Sequence, residues 1–185
     1  DAVLYLDRHG RLHRQKARVV VVAGNAIETA RLLLLSESAQ HPDGLANGSG
    51  QVGRNYMRHT AGAVWGQFDK PVRMYRGENM AGCIEDESVH DPSRGFVGGY
   101  YLELLGMGLA HFANDVVPNA WGVERAEILD EFENTAGLWV VGEDMPRHGN
   151  GVTLNTDVVD QHGLPVPNVH VDQHPNDLAM RTHGQ

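Results

Sequence analysis

Residues able to do chemistry by type and spacing fall in two places along this chain. Ala23, Gly24 and Asn25 close a run of four valines at positions 19–22 and open an apolar pattern of helical period. A bend of small residues between strand and helix lets the backbone come close to a ligand, and the first turn of a helix can present N–H groups to phosphate. These three residues are therefore the candidate nucleotide-contacting set. The second place is His170 and His174, two of eleven histidines, spaced i, i+4. On a helix that spacing would put both on one face for a metal. Val169 and Val171 favour a strand, however, and Pro175 a break, so the pair is not expected to converge, and no metal site is expected. Neither an H-E-x-x-H nor a G-x-S-x-G occurs, and the single cysteine, Cys83, permits no internal disulfide and no thiolate cluster.

The elements that must position the first set are a strand and a helix. Four β-branched residues without alternation suit a strand buried on both faces, as in a parallel sheet covered by helices. Gly24 stops it. Asn25 is a fair N-cap, Glu28 stands three positions on for a capping box, and Ala26, Ile27, Ala30, Leu33 and Leu34 recur at helical spacing, with Leu32 and Leu35 widening the stripe. In open α/β sheets the crevice beyond the strand ends is the ligand site, and residues 23–25 would line it.

Elsewhere, residues 2–7 and 12–22 flank the turn-like Arg8-His9-Gly10 and read as a hairpin, while 38–50 is a polar loop. Strands are expected at 63–68, 98–105, 137–141, 150–155 and 166–171, and helices at 121–132 and 176–183. Residues 69–94 have little periodicity and read as a long loop of the kind that is functional or disordered. Trp65, Trp121, Trp139 and the pair Tyr100-Tyr101 are assigned to packing rather than to a sugar platform.

The 24 acidic against 15 basic residues give a net charge of −9, which repels nucleic acid and excludes it as a partner class. No run approaches the roughly 20 apolar residues of a membrane span.

The stretch RVVVVAGNAIETARLLLLS at residues 18–36 resembles the V-V-x-A-x-G strand end and I-E-T-P-R-L-L-L-x-S helix of glucose-methanol-choline (GMC) flavoprotein oxidoreductases. GLANGSGQVGRNYMRH at residues 44–59 is similar to the block that follows in the branch holding bacterial gluconate, sorbitol and FAD-dependent glucose dehydrogenase large subunits. GEDMP at 142–146, NGVTL at 150–154, Asp160 and GLPVP at 163–167 continue the series. Two long motifs in order are a specific signal. Departures are Ala26, Ala30, Glu37, Arg58 and Gly151, which stand where that family usually has Gly, Pro, Gly, Asp and Arg.

The resemblance implies an α/β plus α+β fold class: the C-terminal piece of a Rossmann-like FAD-binding domain at 1–59, then part of an antiparallel-sheet substrate domain at 60–185 that roofs the flavin, both incomplete. It implies FAD as cofactor, touched by Ala23, Gly24 and Asn25, and oxidation of a CH–OH group of a sugar, polyol or sugar acid. Asn55 and His59 match the family's N-x-x-x-H and are expected to brace the crossover between domains. The family's H-x-x-G-T block is not found, so no catalytic residue is assigned, and the chain is read as an internal fragment. Implied partners are an alcohol or sugar substrate, a small subunit and a cytochrome c electron acceptor, in a periplasmic or inner-membrane-associated complex. Two rival readings are a non-catalytic scaffold subunit, motivated by Ala26, Ala30 and Arg58, and an NAD-binding oxidoreductase.

Overall fold

A computed structural model describes residues 2–116 and 118–185. In chain order the elements are β1 (Ala2–Leu6), β2 (Leu12–Lys16), α1 (Asn25–Leu35), β3 (His59–Gln67), β4 (Cys83–Ile84), β5 (Tyr100–Leu105) and α2 (Leu109–Val116). Then come α3 (Gly122–Asp130), β6 (Thr135–Glu143), β7 (Gly151–Val159), β8 (Pro165–His170) and α4 (Pro175–Gly184). They fall into two compact units, one made of residues up to Tyr56 with His148–Val171, the other of Met57–Arg147 with Asp172–Gln185. In this division β7 and β8 belong to the first unit.

In the first unit, β1 and β2 pair antiparallel around a turn in which Asp7 Oδ1 accepts the N–H groups of His9 and Arg11. The second arm stops at Lys16, short of the expected reach to residue 22. The expected buried strand at 19–22 is corrected: none of these valines joins a ladder, and Val19 and Val21 are 78% and 82% exposed. A strand needs hydrogen-bonding neighbours, and no strand among the described residues pairs with this one. Every ladder described is antiparallel, so the parallel sheet anticipated from these valines does not form within this chain.

Helix α1 forms where its period predicts, burying Ala30 and turning Ile27, Leu33 and Leu34 inward, although Leu32 is exposed. It packs on the β7–β8 hairpin. Arg31 fastens that packing: its Nε donates to Pro165 O at 2.8 Å and its Nη2 to Asp160 Oδ2 at 2.7 Å. The 44–59 block docks on the same hairpin through backbone, Val152 N–H donating to Gly53 O at 2.7 Å. Gly53 has φ +78°, and a Cβ there would collide with Val152 O, while a Cβ on Gly151 would stand 2.6 Å from Gly53 O. Two glycines thus permit the contact, and the departure from Arg at 151 belongs to it.

In the second unit, β3, β6, β5 and β4 form an antiparallel sheet in that order. Helix α4 covers one face, where Tyr100, Val140, Phe96 and Met180 make a buried cluster. Gly142 leaves room for the thioether of Met180, which a Cβ would strike. His174 caps α4, its Nδ1 accepting Asn176 N–H while Asp177 Oδ2 accepts His174 N–H, so Pro175 opens this helix rather than breaking it. A second cluster of Met74, Phe112 and Phe132 receives Trp65, whose ring meets Phe112 edge-on at 5.4 Å. Helix α2, unexpected from the sequence, supplies Phe112 and Ala113 to the interior. The expected loop at 69–94 is mostly irregular but holds β4 and two 3-10 turns, Met74–Arg76 and Pro92–Arg94. Arg94 braces it, Nη1 donating to Glu87 Oε2 at 2.6 Å with the guanidinium over Phe96.

Candidate functional site

Ala23, Gly24 and Asn25 form an exposed bend at the start of α1. Asn25 takes a left-handed backbone, φ +63°, which asparagine tolerates better than most residues. Its Oδ1 accepts the N–H groups of Ile27 at 2.9 Å and Glu28 at 3.0 Å, so Asn25 caps the helix as expected. The reciprocal arm expected from Glu28 to the Asn25 N–H is not made: Glu28 pairs with Arg31 at 3.3 Å, and one residue earlier Gly24 N–H donates to Thr29 Oγ1 at 3.1 Å.

This arrangement decides what the bend can hold. The N–H groups of Gly24, Ile27 and Glu28 already have acceptors within the chain, and the first turn carries the Glu28 carboxylate. Ala23, Gly24, Asn25 and Ala26 are all exposed. A Cβ at Gly24 would find no atom nearer than 3.6 Å, and its φ of −95° is open to any residue, so nothing within the chain requires glycine there. The Glu28 carboxylate in the first turn disfavours an anion at this bend.

Asn55, with φ +54°, belongs to the first unit, and His59 begins β3, exposed, opposite Glu143 in the second. Beside His59, Arg58 has a local purpose. Asp144, its side chain 7% exposed, accepts Arg58 N–H at 2.7 Å and Thr60 Oγ1–H at 2.6 Å, and Arg58 Nε stands 3.7 Å away. The Arg in place of the usual Asp thus faces a carboxylate. His170 ends β8 while His174 caps α4, and among the described residues no group of three His, Cys, Asp or Glu is placed to hold a metal.

The sheet of the second unit splits the aromatic residues assigned to packing. Tyr100 is core, its hydroxyl 2.9 Å from His183 Nδ1. Trp121 is 84% exposed. Tyr101 and Trp139 lie on the face opposite α4, half-buried, with Glu103 of β5 in register opposite Trp139 of β6. Burial against the sheet, and then the Glu103 charge, holds the Tyr101 phenol above its ordinary pKa. Sequence reasoning missed Glu103, although the alternation of YYLELL already sets Tyr101 and Glu103 on one face.

No family model matches the chain. It is 37% identical to 2-methyl-1,2-propanediol dehydrogenase of Mycolicibacterium austroafricanum over 191 residues, covering 97% of this chain and 34% of that protein. It is 28% identical to the fructose dehydrogenase large subunit of Gluconobacter japonicus over 183 residues, covering 92% of this chain and 32% of that one. A shorter stretch of 71 residues is 48% identical to paromamine 6'-oxidase of Streptomyces fradiae, covering 38% of this chain and 13% of that enzyme. The chain therefore spans about a third of the length of the first two relatives. Those names are of dehydrogenases and an oxidase, and with them the chain belongs to the GMC oxidoreductases over the part of their length that it spans.

Proposed function

We propose that the protein is an FAD-dependent oxidoreductase that oxidises a CH–OH group of a sugar, polyol or sugar acid. The observation that carries this reading is the ordered motif series at 18–36, 44–59 and 142–167, together with a dehydrogenase 37% identical along 97% of the chain. In the reaction the alcohol carbon gives up a hydride and the hydroxyl a proton. When bound, the flavin supplies the two-electron acceptor. Within this chain, Ala23 and Gly24 would approach the cofactor with bare backbone, and Asn25 keeps that bend in shape by capping α1. The sheet of the second unit would hold the substrate. The base that takes the hydroxyl proton is not assigned to any residue here. In the same proposal, a small subunit and a cytochrome c carry electrons onward on the periplasmic side.

The test is the full-length protein. Visible flavin absorbance after purification, lost on adding a polyol without oxygen, is the expected result. Colourless protein that neither binds FAD nor oxidises any polyol would remove the reading and leave the scaffold alternative.

A further inference from the structure

Helix α4 covers one face of the second unit's sheet, and a histidine stands at each of its ends. At the start, His174 Nδ1 accepts the Asn176 N–H at 3.1 Å, and the His174 N–H donates to Asp177 Oδ2 at 3.2 Å. The same turn fastens two loops. Asn176 Oδ1 accepts Val97 N–H at 2.7 Å while its Nδ2 donates to Val97 O at 3.0 Å, and the buried Asp177 accepts Met145 N–H through Oδ1 at 3.0 Å. At the far end, His183 Nδ1 lies 2.9 Å from the Tyr100 hydroxyl, with the Phe96 ring edge-on to the imidazole.

The two histidines answer a proton differently. Nδ1 of His174 accepts only while the ring is neutral; an imidazolium carries donors at both nitrogens, so its bond to Asn176 N–H has no protonated counterpart. A cation there would also stand at the positive end of the helix dipole. Around this turn are Arg147, whose Nη1 donates to Gln173 O, the carboxylates of Asp177 and of Asp144, the latter held by Arg58 and Thr60, Asp172 two residues earlier, and Glu143 against Gly98. Those charges set the pH at which the proton arrives, and none of them gives the imidazolium an acceptor. His183 is the opposite case. A phenol both donates and accepts, so the contact with Tyr100 survives either state, and a cation in the last turn, beside Arg181, suits the helix C-terminus. Glu87 and Arg94 are the charges that reach Tyr100 from its other side. We propose that α4 is a pH-sensitive strap anchored at Tyr100: protonation of His174, in the range of roughly pH 7 to 5 where imidazole titrates, uncaps the first turn and loosens its grip on residues 96–98 and 144–147. The device does not depend on the oxidoreductase reading.

The experiment is amide hydrogen exchange, read by mass spectrometry on the full-length protein at about pH 8 and about pH 5, either side of imidazole titration. Wild type is compared with His174→Asn, which keeps a side-chain acceptor at both, and His174→Ala, which has none; comparison at one pH cancels the intrinsic pH dependence of exchange. At the higher pH, wild type and His174→Asn are expected to protect peptides over 96–98, 144–147 and 174–178 alike, with His174→Ala exchanging there at least about threefold faster. At the lower pH, wild type is expected to exchange as fast as His174→Ala in those peptides, while His174→Asn stays slow and peptides over β6 and 181–184 match in all three. Wild type as protected as His174→Asn at the lower pH would overturn the inference, as would equal loosening at both ends of α4 or a His174→Ala protein as protected as wild type at the higher pH. Should His174→Ala fail to fold, wild type against His174→Asn at the lower pH decides alone.

Discussion

Arg31 and Asp160, 129 residues apart, meet in the first unit with Nη2 and Oδ2 2.7 Å apart. Both are largely shielded, and Asp160 also accepts the N–H groups of His162 and Leu164. One carboxylate therefore closes the β7–β8 turn and ties it to α1. The Arg31 guanidinium, helped by those two amides, draws the Asp160 pKa down to about 2.

Because the folded pKa lies below the unfolded value of about 3.9, Asp160 favours the folded state fully above that value and loses this effect as pH falls toward 2. Thermal melts of wild type and Asp160→Asn from pH 7 to pH 2 check the sign. The variant is expected to melt lower at pH 7, with the difference vanishing near pH 2. A gap that stays constant with pH would refute the linkage.

Asn25→Ala removes the acceptor of two helix amides and puts a Cβ-bearing aliphatic residue at φ +63°. The cap loss alone costs about 0.5–2 kcal/mol. Asn25→Asp keeps the acceptor, so urea melts should rank wild type and Asn25→Asp together and well above Asn25→Ala.

Gly53→Ala forces a Cβ into Val152 O at a left-handed φ. We expect a loss of at least about 1–2 kcal/mol from the backbone conformation alone, before the clash. Gly151→Arg, the usual family residue, should destabilise as well, since its Cβ would press on Gly53 O at 2.6 Å. A melting temperature unchanged in both would show that this contact is not made.

Met180→Ala empties the space beside Gly142 in the α4 packing and should cost about 2–5 kcal/mol. Asp177→Ala strips partners from His174 N–H and Met145 N–H, both next to α4, at about 1–3 kcal/mol. Denaturant titration followed by tryptophan fluorescence reads both.

Local signals were legible wherever a residue's consequence stays within a few positions. Helix α1 follows from the apolar period after Asn25, the β1–β2 turn from Arg8-His9-Gly10, and α4 from the residues after His174. The likeness to GMC oxidoreductases was legible too, because motif order is a property of the chain itself. Residues 19–22 show the limit, since β-branched side chains announce a strand while the ladder that would make it one depends on neighbours the chain does not bring alongside. Helix α2 was hidden because its short stretch, 109–116, carries too few turns for the period to stand out.

Long-range pairing was decided by tertiary structure alone. Arg31 and Asp160 were visible as motif letters, but that they bind each other depends on β7 and β8 returning to the first unit. Likewise YYLELL sets Tyr101 and Glu103 on one side of β5, yet Trp139 joins them only through the register of β5 on β6. Spacing along a strand fixes which face a side chain takes, and pairing between strands fixes its neighbours there; no local pattern contains the second.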